Sequence, residues 1–130
     1  MKISVHDNRI ISYTVFSDIR EIRIHTEFED EYTDIIFSGV ELYHFECDNF
    51  SNIIFDVFEE DLAESYEQNS DLFSKLKNYG WIKFTYNSKE ELISKMKEIN
   101  INAFAIHSSF GLCGFVWAKT LIIKPNITTN

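Results

Sequence analysis

Two His-x-Glu pairs, His25-Thr26-Glu27 and His44-Phe45-Glu46, are the residues here whose type and spacing come nearest to a chemical site. Alternate side chains of an extended strand share a face, so each pair presents an imidazole and a carboxylate together. With His107 they would offer nitrogen and oxygen ligands of the kind that suit Zn²⁺ and related ions. A metal centre needs three or four converging ligands, however, and nothing in the spacing brings the pairs together. One reads as the solvated polar face of a strand and the other as a strand end, and no metal or other cofactor is expected. His107-Ser108-Ser109 sets a base beside two hydroxyls. Neighbours on a strand point to opposite faces, so His107 cannot activate Ser108 locally. There is no G-x-S-x-G elbow and no phosphate-binding glycine motif; Gly111 and Gly114 read as turn glycines. Cys47 and Cys113 follow no metal or redox spacing and read as buried thiols of a reducing compartment.

Carboxylates are the chain's most unusual resource. Between Ile24 and Ser74 there are fifteen Asp and Glu residues and no Lys or Arg. Apolar runs are woven through this stretch, at Ile35-Ile36-Phe37, Leu42-Tyr43 and Ile53-Ile54-Phe55. That mixture predicts a folded acidic surface rather than a disordered tail. General acid/base catalysis needs two carboxyls whose environments split their pKa values, and the sequence singles out no such pair. The acids fall into two clusters at strand ends. One is the turn Glu27, Glu29, Asp30, Glu31 and Asp34. The other is the strand-to-helix segment Glu59, Glu60, Asp61, Glu64 and Glu67. Tyr32, Tyr43 and Tyr66 lie in or beside acidic sequence, the composition expected where a negative patch grips a basic protein.

Length and composition bound the possibilities. The 130 residues suit one domain, and a chain of this length buries roughly two-thirds of its unfolded surface without needing a metal or disulfide. The mixture is globular: 45% apolar, 15% aromatic, 25% charged, with a net charge of −9. Residues 1–71 carry four basic and eighteen acidic side chains, 4 − 18 = −14, and residues 72–130 carry eight and three, 8 − 3 = +5. Direct nucleic-acid binding is disfavoured, because phosphates are held by Lys and Arg that displace counterions. No signal-like opening and no run of about 18 apolar residues occurs, so a cytoplasmic protein without a membrane span is expected.

The elements follow from periodicity. Lys2–His6 and Arg9–Phe16 read as strands around the turn-prone Asp7-Asn8. In Glu21–Phe28, Ile22, Ile24, Thr26 and Phe28 line one face and Glu21, Arg23, His25 and Glu27 the other. Glu29-Asp30-Glu31 is a hairpin turn. Tyr32–Cys47 is a long apolar run whose phase slips at Ser38-Gly39, predicting a bulge or bend. Asn52–Phe58 is a further strand, and 59–68 is a loop or a short helix. Ser70–Tyr79 and Ser88–Ile99 read as helices, the second with a Ser88/Glu91 capping box. Trp81–Tyr86, Ala103–Ser108 and Phe115–Ile123 read as strands. The predicted fold class is α+β: an antiparallel sheet, a meander in its first half, with two helices in the second half packed on one face. The uncovered face must be solvated or meet a partner.

Several segments together resemble a group of small bacterial proteins: Ile24-His25-Thr26-Glu27-Phe28, Asp34 through Val40, Tyr43-His44-Phe45, Asn52 through Asp56, and Ile106 through Leu112. In size, acidity and lack of a catalytic motif the chain also resembles the immunity proteins of contact-dependent and polymorphic toxin systems. That resemblance implies a binding module rather than an enzyme: a cytoplasmic protein whose acidic face blocks a basic toxin, with a nuclease the favoured class. A metal-assisted or acid/base enzyme and a homodimeric structural or regulatory subunit are the alternatives.

Overall fold

The computed structural model describes residues 4–126. Eight strands and three helices follow in the order β1 (Arg9–Phe16), β2 (Glu21–Phe28), β3 (Glu31–Ser38), β4 (Leu42–Glu46), β5 (Ile53–Glu60), α1 (Leu62–Gln68), α2 (Ser70–Leu76), α3 (Lys89–Glu98), β6 (Asn102–Phe110), β7 (Cys113–Ala118) and β8 (Thr120–Pro125). The fold is α+β, with one eight-stranded sheet whose neighbours are all antiparallel.

Strand order is β4-β7-β6-β5-β1-β2-β3-β8. The two outermost strands are chain continuations of strands near the opposite end: β4 follows β3 after three residues, and β8 follows β7 after Lys119. β3 pairs with β8 while β4 pairs with β7, so one bent ribbon runs against another along its whole length. The sheet therefore rolls back on itself. Both ribbons bend at the same level. Gly39 adopts φ +65, a conformation that only glycine takes without strain. Opposite it, Lys119 donates its N–H to Ser38 O at 3.0 Å and Gly39 O at 3.2 Å. The phase slip at Ser38-Gly39 is this bend.

Rolling creates two cores. Inside the roll, Ile22, Ile24, Ile35, Phe37, Ile54, Phe104, Ile106 and Val116 pack together, with Phe37 and Phe104 meeting at 5.8 Å between ring centres. Outside, Leu42, Phe115 and Trp117 present the opposite face of β4 and β7 to Leu62, Phe73, Leu92 and Met96 of the helices. Among the described residues, none from β1, β2, β3 or β8 joins the helical cluster, so the outer face of these strands is left to its own side chains, among them the Glu21–Arg23 pair at 2.7 Å and the exposed Ile122.

Several local expectations change. Residues 62–76 form two seven-residue helices broken at Asn69, so there are three helices in the second half rather than two. Asn69 ends one and starts the next, and its side-chain amide donates to Ser65 O at 2.8 Å. The capping box at Ser88 forms, with Ser88 Oγ accepting from Glu91 N, but Glu91 reaches back one residue further, to Asn87 N. Residues 81–86 are not a strand. Their alternating side chains anchor an irregular segment on the helical cluster: Tyr86 is buried, and Trp81 Nε1 donates to Tyr43 O at 3.2 Å. The expected strand Lys2–His6 lies partly outside the described residues, and Ser4–His6 is not strand.

Candidate protein-binding surface

The β2–β3 hairpin carries the first acidic cluster at its tip. Phe28 pairs with Glu31 and Glu27 with Tyr32, leaving Glu29 and Asp30 as the two turn residues. Both have left-handed backbones, φ 51 and φ 66. A two-residue hairpin favours this geometry because its twist matches that of the strands, and Asn-Gly is the pair that adopts it most readily. Glu-Asp is an unfavourable choice on backbone grounds.

The tip is acidic without compensation. Among the described residues, no Lys, Arg or His forms an ion pair with Glu29, Asp30 or Glu31. Phe28 and Tyr32, immediately flanking the acids, are 44% and 51% exposed. The outcome is a short protrusion with three carboxylates between two solvent-facing rings.

The other two members of this cluster are not free. Glu27 meets Arg9 at 3.4 Å and accepts from Asp30 N at 3.1 Å, which braces the turn. Asp34 is buried, a correction to its place on the predicted surface. His25 Nδ1 lies 2.9 Å from its carboxylate, and Asn126 Nδ2 donates to it at 3.2 Å. The cross-strand pairing of His25 with Asp34, rather than the His25/Glu27 spacing, therefore uses this imidazole.

The second cluster lies at the other end of the roll. Arg9 pairs with both Glu27 and Ile53, which puts the start of β5 beside the hairpin. Glu59 and Glu60 end β5, about 20 Å along an eight-residue strand. The two clusters do not share a rim, and most of the second has structural work. Asp61 caps α1, accepting from Glu64 N at 3.3 Å. Glu67 meets Lys89 at 2.6 Å. Glu60 is half-buried, and burial raises its carboxyl above the usual range against the pull of a Ser65 hydrogen bond and of His107. Glu59 and Glu64 remain exposed.

The hairpin end gathers further exposed apolar groups: Phe50 in the loop after β4, Phe55 on β5 and Phe110 at the end of β6. Phe is mostly a core residue by default, and the acids and turn residues bordering these three were the available signal that they are not. Of the three tyrosines near acids, Tyr32 is exposed, whereas Tyr43 and Tyr66 pack partly against the two cores.

The His-x-Glu pairs do not form one site. His25 is bound to Asp34, and His44 lies 3.7 Å from Glu46 on β4. Among the described residues, no three His, Cys, Asp or Glu side chains form a group that could hold a metal ion. Cys47 is exposed, not buried as expected, and Cys113 is half-buried. Among those residues no helix is long and apolar enough to cross a membrane. No family model, curated protein or solved structure matches the chain.

Proposed function

We propose that the chain is a protein-binding module of the immunity type, acting in the cytoplasm, whose hairpin Phe28-Glu29-Asp30-Glu31-Tyr32 docks on a basic toxin domain. One observation carries this reading: three unpaired carboxylates sit between two exposed rings on a turn whose backbone would be better served by other residues. Strain of this kind persists where the surroundings hold it, and it concentrates at functional segments. Exposed aromatics supply binding energy at an interface, while surrounding charge supplies orientation and association rate. A basic partner is favoured because a nuclease site is itself built to hold phosphates, and carboxylates compete for the same donors. The remote cluster at Glu59–Glu67 contributes long-range attraction in this reading, without contact.

The test is a binding titration with the basic partner recovered on the wild-type protein from its native cells. Two variants are compared at low and moderate salt: Glu29→Gln/Asp30→Asn/Glu31→Gln, and Tyr32→Ala. The charge variant should lose affinity mainly at low salt, since screening removes what the acids contribute. Tyr32→Ala should lose it at both salts, through faster dissociation. Wild-type binding by both variants at both salts would discard the hairpin as the docking element.

A further inference from the structure

Cys47 and Cys113 stand at the ends of two paired strands. β4 and β7 run antiparallel with Glu46 opposite Cys113, so Cys47 is the next residue along, diagonal to it. On a regular strand Cys47 would turn to the opposite face from Glu46. Its backbone is left-handed instead, φ 60, and the alternation breaks there. That register sets the two cysteines on adjacent residues of neighbouring strand ends. The segments beside them are already joined by Asn52. Its Oδ1 accepts from Leu112 N at 2.8 Å and from Asn49 N at 3.1 Å, and its Nδ2 donates to Asp48 Oδ1 at 2.7 Å.

We propose that Cys47 and Cys113 form a dithiol site that takes a low-molecular-weight disulfide as oxidant and closes to an intramolecular disulfide. Their surroundings assign the roles. Cys47 is the exposed thiol and meets the oxidant first. Cys113 is half-buried, and burial, followed by the neighbouring Cys47 and Glu46, raises its thiol above the ordinary range, so it is the poorer free nucleophile and the resolving partner. Cys47 gives up its proton and attacks one sulfur of the oxidant. The oxidant's S–S bond breaks, and one small thiol leaves with that proton. Cys113 then gives up its proton and attacks Cys47 Sγ, expelling the second small thiol. Two protein thiols are oxidised, and one small disulfide is reduced to two thiols. Asn52 already ties the segments beside the two cysteines together.

Closure would lock the loop 47–52, which carries Phe50 and borders β1 across a groove of about 460 Å³ lined by Ile11, Tyr13 and Asp48. The site is independent of the hairpin reading above.

The experiment treats the full chain with oxidised glutathione and follows it by intact mass and by non-reducing electrophoresis. The wild-type protein should lose two hydrogens, retain no adduct and stay monomeric, and its Tm should rise by roughly 5–15 °C, reversibly on reduction. Cys113→Ser should retain glutathione on Cys47, because nothing resolves the mixed disulfide. Cys47→Ser should react at least about tenfold more slowly. A stable glutathione adduct on the wild-type protein, crosslinks between molecules, or persistence of both free thiols would each overturn the proposal. Both serine variants are checked for wild-type circular dichroism first. Should either fail to fold, the mass change of the wild-type protein decides alone.

Discussion

The indole N–H of Trp117 donates to the hydroxyl of Ser65 across 2.9 Å, with both side chains fully buried. This bond joins β7 to α1. Trp117 also packs on Phe73, with ring centres 5.1 Å apart. Trp117→Ala should cost about 3–5 kcal/mol, since it empties the centre of the outer core. Ser65→Ala should cost about 1–3 kcal/mol, because it leaves the indole N–H buried without an acceptor. The double variant should cost much less than the sum, as the two share one interaction. Urea unfolding of all three variants measures this; additive losses would show that the bond is energetically idle.

Glu60 should give a pH-dependent signature. Burial is the largest influence on its carboxyl, and it raises the pKa. The folded protein therefore holds this proton more tightly than the unfolded chain does. The stabilisation from that proton is complete below the ordinary carboxylate range and is lost as pH rises through it. Glu60→Gln should unfold at a higher temperature than wild type at neutral pH, and the difference should shrink in acid. A gap that widens on acidification would reverse this account.

The hairpin should be easy to stabilise. Glu29→Asn with Asp30→Gly replaces two left-handed non-glycine residues by the pair that this turn prefers, so stability should rise by about 1–2 kcal/mol. Thermal unfolding reads the effect directly. A loss of stability would mean that the acidic side chains themselves hold the turn.

Asn52 should behave as a structural hub. Asn52→Ala removes the acceptor of the buried Leu112 N–H and releases Asp48 and Asn49, at a cost of about 2–3 kcal/mol. Gly111→Ala should fail for a related reason. Its backbone has φ +87, and a Cβ there would collide with Asn52 Oδ1 and Cα. Chemical denaturation of each variant tests this, with wild-type stability for Asn52→Ala as the contrary result.

Much of the fold is legible in local pattern. The alternation of Ile22, Ile24, Thr26 and Phe28 places β2, because a half-buried strand repeats every two residues. Ser88 with Glu91 marks the start of α3 through backbone donors that only a cap satisfies. Trp81–Tyr86 misleads for the same reason that β2 succeeds. Alternating apolar residues describe any segment that anchors every second side chain, and here the anchor is a cluster of helices. The inventory of acids was legible too, but not their state, since Glu27 is engaged by Arg9 and Glu67 by Lys89, partners distant in sequence.

The sequence by itself determined that this chain builds an antiparallel sheet with later helices, that its acids are embedded in folded structure, and that Glu29-Asp30-Glu31 is a turn. Those features depend on a few neighbouring residues. The tertiary structure alone decided that the ribbon 31–46 lies against the ribbon 113–125, which rolls the sheet and sends the two acidic clusters to opposite ends. It also decided that Asp34 is buried, and that Cys47 and Cys113 stand diagonally across neighbouring strand ends. Each of these depends on a register between distant strands, where a slip of one residue would turn every side chain to the other face.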